Sequence, residues 1–235
     1  MQIIKKSDEK LVFTAQVTES LANSIRRSVG LIPVMAIDEL EIAKNDSALY
    51  DETLAHRVGL VPLKMSKDIK EDTVLKLKLN KKGPGYVYSK DLNGDCDVVY
   101  SEIPLTLLKE GQEVKITAIT KVGYGKDHAK FAPGLLVYRN ACEITLPKKH
   151  KEIISKTFPE NTIKEKGENI IIKDDKEKSL IDFCEGLCKK DDDNCEVKDT
   201  SELVFTIESF GQISASEIFK QAIEGLKKEL KSLKL

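Results

Sequence analysis

Five apolar residues close to the end of the chain, Phe219, Ile223, Leu226, Leu230 and Leu233, recur at intervals of 4, 3, 4 and 3. That repeat draws a hydrophobic seam along one side of an α-helix, and such a seam demands a helical partner. Ser214 and Glu217 form a capping box at its start. At about two to three heptads the helix is too short for a free-standing coiled coil. The seam is therefore expected to pack on helices of its own chain and of one partner. A second stripe lies near the start of the sequence. After Thr18, an N-cap, the residues Leu21, Ala22, Ile25 and Val29 recur at helical spacing, and Gly30 and Pro33 stop the run. Two helices from opposite ends, each with a polar far side, can build one domain from both termini.

Between them the pattern is mostly β. Gln2–Lys5 and Leu11–Val17 flank the polar turn Ser7-Asp8-Glu9 and predict a hairpin. Residues 34–42 read as a strand with carboxylates on alternate positions. Asp46 or Ser47 can cap a second helix through about Val58, ended by Gly59 and Pro62. From 73 to 146, strand-like runs at Val74–Leu79, Tyr86–Tyr88, Val98–Tyr100, Val114–Ile119 and Leu135–Tyr138 are separated by Gly/Pro/Asn turns. Residues 147–200 shift to Lys, Asp and Glu and hold three of the five cysteines, which predicts a small inserted subdomain or a long mobile excursion. Leu203–Ile207 returns to strand.

Composition narrows the class. With 235 residues the chain can bury about 70–75% of its unfolded surface. No apolar run approaches the roughly 20 residues that span a bilayer. The start, MQIIKKSDEKLVF, lacks the apolar core of a signal peptide, so neither secretion nor membrane insertion is expected. Thirty-eight basic residues against 39 acidic leave a net charge of −1, which argues against a protein that coats nucleic acid. Of the basic residues only Arg26, Arg27, Arg57 and Arg139 are arginine. Three of these fall within 26–57, which marks a stretch that needs the planar guanidinium fork.

Enzyme motifs fail on inspection. Gly123-Tyr124-Gly125-Lys126-Asp127 lacks the spacing and hydroxyl of a phosphate cradle and reads as a β-turn. His56 follows Glu52 by four residues and reads as a helix-surface ion pair. His128 and His150 have no Cys or His at ligand spacing, and Asp191-Asp192-Asp193 reads as a solvated turn. Cys184 and Cys188 would share one helix face. With Cys142 and Cys195 they make a four-thiolate set in principle, but the spacing C-x₃-C-x₆-C is not that of a cluster motif. Reduced thiols are the simpler reading. The metal candidates are thus Cys142, Cys184, Cys188 and Cys195, and no bound metal or cofactor is expected.

Residues 21–42, LANSIRRSVGLIPVMAIDELEI, followed at 45–63 by NDSALYDETLAHRVGLVPL, resemble the α-like subunits of RNA polymerase. These are the archaeal D subunits, the bacterial α amino-terminal domain and the third-largest subunit of eukaryotic RNA polymerase II. Tyr88-Ser89-Lys90-Asp91 and residues 123–131 are similar to that family too, and the resemblance covers nearly the whole chain. It implies an α+β fold. A discontinuous dimerisation domain, 1–63 and 200–235, takes both ends; a β-rich domain, 64–146, is inserted. A variable insertion, 147–199, stands where some members carry a ferredoxin-like domain with an Fe–S cluster. Cys184 and Cys188 match the last two cysteines of that cluster motif, while Lys178 and Ile181 stand at the first two.

The resemblance further implies a non-catalytic scaffold in the cytoplasm. Its partners are the small subunit L, the two large polymerase subunits and the small zinc-binding subunits N and P, with DNA met only through the holoenzyme. Arg26, Arg27 and Arg57 are the expected large-subunit contacts, although Arg26 and Arg27 could instead pair with Asp38, Glu39 or Glu41. The dimer interface is expected from Leu21, Ile25, Val29, Phe219, Ile223, Leu226, Leu230 and Leu233. Two other readings stand beside it: an Fe–S electron-transfer or redox-sensing protein on 142–195, and a DNA binder using helix 18–29.

Overall fold

The structure, a computed structural model, describes residues 1–65, 70–159, 163–176 and 179–232. The chain opens with β1 (Gln2–Lys6), β2 (Lys10–Ala15), α1 (Glu19–Ser28), β3 (Pro33–Asn45) and α2 (Asp51–Gly59). Then come β4 (Lys76–Lys82), β5 (Gly85–Tyr88), β6 (Asn93–Gly94), β7 (Pro104–Leu108), β8 (Glu113–Tyr124) and β9 (Gly134–Pro147). It closes with α3 (Lys151–Thr157), β10 (Ile163–Lys166), β11 (Asn169–Lys173), α4 (Ser179–Asp191), β12 (Glu196–Ser209) and α5 (Ala215–Ser232). Two compact units result. One takes Met1–Lys5, Val12–Glu19 and Val137–Thr206; the other takes Lys6–Leu11, Ser20–Leu136 and Ile207–Leu235. Among the described residues no helix is long and apolar enough to cross a membrane.

The larger unit is organised by β3 and β8. They pair antiparallel from Pro33 opposite Tyr124 to Asn45 opposite Val114. Two register shifts, between Ile37 and Glu39 and between Ile42 and Lys44, leave Asp38 and Ala43 as extra residues on β3. Side chains alternate across a strand, so an extra residue exchanges the two faces. Before the first bulge Met35 and Ile37 face the core. Without the bulge Glu39 and Glu41 would follow them inward; with it Leu40 and Ile42 do. The displaced Asp38 points outward and accepts from Lys130 Nζ at 2.6 Å, a hydrogen bond that holds its carboxyl below the usual range. On the other side of β8, β4 presents Leu77 and Leu79 to the same core, and α2 adds Leu54 and Val58, one turn apart.

The smaller unit carries a six-stranded sheet in the order β1-β2-β12-β9-β11-β10. β9, β11 and β10 are antiparallel neighbours, with Leu146 opposite Ile170 and Ile144 opposite Ile172. Those four side chains are buried, and Ile154 of α3 and Leu180, Ile181, Cys184 and Cys188 of α4 close over them. Phe13 and Phe205 stack with ring centroids 4.9 Å apart. Arg139 on β9 forms a two-pronged ion pair with the buried carboxylate of Asp174, which also accepts from the Lys176 N–H at 2.8 Å.

Several expectations need correction. Residues 147–200 are no excursion, because β10, β11, α3 and α4 build a core of their own. Val98–Tyr100 is not a strand: Val98 makes an isolated bridge to Leu63, and the Val99 N–H donates to the Pro62 carbonyl at 2.9 Å. The true partner of β5 is β7, whose proline-led sequence gave no alternating signal. The second helix begins at Asp51, not at Asp46 or Ser47. Asn45 holds the intervening turn, donating to the Leu49 carbonyl and the Asp51 carboxylate and accepting from Ser47. At the start of α5, Glu217 accepts from Gln221 rather than turning back, and the Ala215 N–H is satisfied by the Asp8 carbonyl at 2.7 Å. Glu52 and His56 form no ion pair, although both are exposed on α2.

The Arg139–Asp174 pair yields a prediction. Burial raises the Asp174 carboxyl, but the guanidinium and the Lys176 N–H outweigh it and leave the pKa lowered. A lowered carboxyl stabilises the fold above its unfolded pKa of about 4 and loses that contribution as pH falls through the folded value. Asp174→Ala strands a partly buried guanidinium and should cost about 3–5 kcal/mol at pH 7. In urea titrations the gap between the variant and the parent should be widest at pH 7 and should shrink steadily as pH falls below about 4.

Candidate protein-interaction surface

α1 is short, and two of its serines bond back to its own backbone. The Ser24 hydroxyl donates to the Ser20 carbonyl at 2.9 Å, and the Ser28 hydroxyl to the Ser24 carbonyl at 2.8 Å. Ala22, Ile25 and Ser28 are buried, and Val29, in the 3₁₀ turn that follows, is buried as well. Of the expected interface residues on this helix, Ile25 and Val29 therefore belong to the core of this chain, while Leu21 is 44% exposed. Arg26 and Arg27 sit in the last turn, where cations complement the helix dipole. Arg26 donates twice to Asn23 Oδ1, at 2.9 and 3.1 Å. Asp38 is held by Lys130 instead, so it is not the arginine partner anticipated.

After α1 the backbone passes close to the end of β8. The Lys126 N–H donates to the Gly30 carbonyl at 3.1 Å, and a Cβ on Gly125 would stand 3.3 Å from Gly30 Cα. Gly123 lies under the Phe131 ring, where a Cβ would come within 2.7 Å. The glycines in this segment thus allow two backbones and a ring to cross closely, which agrees with a turn and not a phosphate cradle. Asp127 and His128 both donate their N–H to the Tyr124 carbonyl.

α5 completes the surface. Its inward face is made of small residues and one isoleucine: Ala215, Ile218 and Ala222 are buried, and Gly225 sits where a Cβ would be 3.6 Å from Leu31. The seam read from the sequence lies beside that face. Phe219, Ile223 and Leu226 are half-buried and Leu230 is 59% exposed; Leu233 lies outside the described residues. A sequence scan for large apolar residues finds the open seam and passes over the closed one, because Ala and Gly give little hydrophobic signal. Between α1, the Gly125-Lys126 turn and α5 lies a cleft of about 540 Å³, floored by Leu31 and Leu226 and edged by Arg27 and Lys126. Neither cation makes an ion pair with a described residue; Lys126 Nζ lies 5.3 Å from the Tyr124 ring centroid. Arg57 is placed elsewhere, donating to the Pro104 carbonyl at 2.5 Å and tying α2 to β7.

Comparison with known proteins places this surface in a family. The family model for the RNA polymerase Rpb3/RpoA insert domain matches residues 21–136. DNA-directed RNA polymerase subunit Rpo3 of Archaeoglobus fulgidus is 32% identical over 254 aligned positions, covering 99% of this chain and 96% of the relative. The chain belongs to the Rpo3 family of DNA-directed RNA polymerase subunits. Rpo3 of Pyrococcus horikoshii is 40% identical over 63% of this chain, and that of Pyrococcus furiosus 42% over 59%. The aligned stretches span about three fifths of the length of those two Rpo3 chains.

An Fe–S cluster, which the resemblance to this family raises, was tested against the thiols present. Cys184 and Cys188 are 0% and 1% exposed and pack with Leu180, Ile144, Ile170 and Ile172. Ile181, at a ligand position of the motif, is itself buried in that core; Lys178 lies outside the described residues. Burial pushes the Cys184 thiol up to about 11 and the Cys188 thiol up to about 12, the latter helped by a hydrogen bond with Cys195. Burial, with Asp174 adding to it, takes Cys142 to about 11. A cluster needs four thiolates converging on a cradle; these side chains are protonated constituents of an apolar core and do not fit it.

The thiols carry a direct test. The nucleophile is the thiolate, so raising a pKa by two units or more lowers reactivity about 100-fold. In the folded chain at pH 7.5, Cys184 and Cys188 should be alkylated by iodoacetamide at least about 100-fold more slowly than in urea, as followed by peptide mass spectrometry.

Proposed function

We propose that this chain is a non-catalytic assembly subunit of a DNA-directed RNA polymerase. In this reading it pairs with the small α-like subunit L and then recruits the two large subunits and the small subunits N and P. Catalysis resides in the large subunits, and DNA is met only through the assembled enzyme, in the cytoplasm. The dimerisation domain takes residues 1–63 and 200–235, 64–146 form the inserted β-rich domain, and 147–199 a degenerate ferredoxin-like insertion without a cluster. The single observation that carries the reading is the open seam of α5. Phe219, Ile223, Leu226 and Leu230 form an apolar stripe that their own chain only half covers, and such a stripe marks an interface.

Two functions share this surface. The seam supports pairing with an α-like helix. The cleft beside it is lined by Arg27, Lys126 and one acid, Glu229, and neither cation forms an ion pair with a described residue, which supports contact with a carboxylate-bearing segment of a large subunit. Arg26 can add to that contact only by leaving Asn23. Arg57 is engaged inside the chain and is a weaker candidate.

Covering Leu226 and Leu230 contributes about 3–6 kcal/mol before association entropy is subtracted. The double variant Leu226→Asp/Leu230→Asp should therefore fail to elute as a one-to-one complex with co-expressed subunit L at low micromolar concentration. Its circular dichroism should remain that of the parent. Arg27→Glu should behave oppositely, keeping the complex with L and losing recovery of the large subunits. A one-to-one complex formed by the Asp double variant would place the interface elsewhere.

A further inference from the structure

We propose that His150, Asp191 and Asp193 form a binding site for a divalent transition-metal ion, built on nitrogen and oxygen ligands and independent of the cysteines. The three residues are 41 and 43 positions apart in sequence and meet only through the fold. His150 ends the 3₁₀ turn Lys148–His150 that leads into α3, and its side chain is 2% exposed. Asp191 is the last residue of α4. Asp192 then takes a left-handed conformation, with φ of 54°, and the Asp193 N–H donates to the Cys188 carbonyl at 2.9 Å. This left-handed helix end carries two aspartates to one buried imidazole.

The ring is addressed from both sides by groups that only accept. His150 Nε2 lies 2.7 Å from Asp193 Oδ2, and Nδ1 lies 3.8 Å from Asp191 Oδ2. A neutral imidazole has one N–H. Given to Asp193, it leaves the Nδ1 lone pair facing a carboxylate across a gap too wide for a hydrogen bond. A shared cation resolves that opposition. Ligands bound at about 2.0–2.2 Å in a tetrahedral site stand about 3.3–3.5 Å apart, so the exposed Asp191 carboxylate needs to close by less than 1 Å. One ligand atom from each of the three residues already lies within 4.8 Å of the other two. Asp193, on the far nitrogen, supplies the carboxylate–histidine–metal arrangement that fixes the tautomer, or turns its second oxygen to the ion.

The charge balance agrees. Asp193 Oδ2 lies 2.7 Å from both Lys149 Nζ and His150 Nε2, so a carboxylate oxygen is already drawn to the site. Lys149 Nζ, 2.7 Å from Asp193, is half-exposed and can withdraw into water when a dication arrives. An imidazole with carboxylates selects zinc, cobalt, nickel or manganese over calcium or magnesium. Asp191 stands at the solvent side, leaving coordination positions for water and an entry path.

Cobalt(II) titration of the full chain, freed of any affinity tag, reads the site directly. The expected result is saturation at one equivalent, visible ligand-field bands without thiolate charge transfer, and displacement by zinc. Asp191→Asn, a change at a partly exposed residue, and Asp193→Asn should each weaken binding at least about 10-fold, with the circular dichroism unchanged. Three outcomes overturn the proposal: no saturation by millimolar cobalt, strong sulfur-to-cobalt charge transfer, or unchanged affinity in both variants. The first would mean that the three side chains form a hydrogen-bonded cluster only.

Discussion

The antiparallel pairing of β3 with β8 brings together the two backbone turns that border the cleft, and α5 packs on one of them through Leu31. α1 enters β3 through the turn at Val29–Leu31, and β8 leaves through Gly125 and Lys126. The register that places Pro33 opposite Tyr124 therefore also sets Gly30 against Gly125. A slip of one residue would reverse the facing of a whole strand, moving Met35 and Ile37 out of the core. It would also part the Gly30 carbonyl from the Lys126 N–H. The Asp38 bulge answers a conflict in the sequence. MAIDELEI alternates correctly on either side of Asp38 but changes phase there. Inserting one unpaired residue lets both halves of the strand bury their apolar side.

How much was legible depended on whether a signal was local. The amphipathic helix α5 and the glycine turns follow from spacing within a few turns of chain, and both are present in the structure; the mixed α and β character comes from the family resemblance and agrees with the elements found. The start of α2 does not follow from local spacing, because Asn45 ties residues 45–51 into a turn ahead of the helix, whose N-cap position, Tyr50, has no side-chain cap. The bulge was present in the sequence as a phase change within 34–42, where regular alternation was read instead. The inward face of α5 and the partner of Arg139 were harder. Alanine and glycine are buried on α5 because they permit close approach, and Asp174 lies 35 residues from Arg139 on a different strand edge. Asp191-Asp192-Asp193 does form a solvent-facing turn, with Asp191 and Asp192 exposed, but nothing near it in sequence indicates the contact of Asp193 with His150.

The smaller unit solves two incompatible requirements in adjacent positions. Cys142 lines its apolar core and at the same time its carbonyl accepts the Asp174 N–H, while its thiol lies 3.8 Å from the Asp174 carboxylate. A buried carboxylate next to an apolar core is costly unless every lone pair is used. The Arg139 fork and the Lys176 N–H use them. Burial raises the thiol pKa of Cys142, Cys184 and Cys188, with the Asp174 charge adding to it at Cys142, and these side chains pack as small hydrophobes. Ile181 is buried in the same core beside Cys184 and Cys188, so the apolar packing includes a position where the cluster motif would place a cysteine.

The two faces of α5 divide labour by residue size. Ala222 and Gly225 bring the helix close to its own chain, with Leu31 within van der Waals reach of Gly225. Close approach of a small-residue face leaves the larger side chains, Phe219, Ile223 and Leu226, at the margin of the contact rather than at its centre. A helix with leucine on both faces would satisfy itself less tightly and present a broader apolar surface to solvent, with aggregation as the consequence. Here the inner contact fixes the helix first. The seam is then presented on a rigid element, which lowers the ordering cost of association. The guanidinium of Arg27 stands beside it on a different helix, and Glu229 of α5 lines the same cleft, so the apolar stripe is bordered by charge of both signs. Apolar area of this kind favours association in general, while charges at its rim act on orientation and choice of partner more than on affinity.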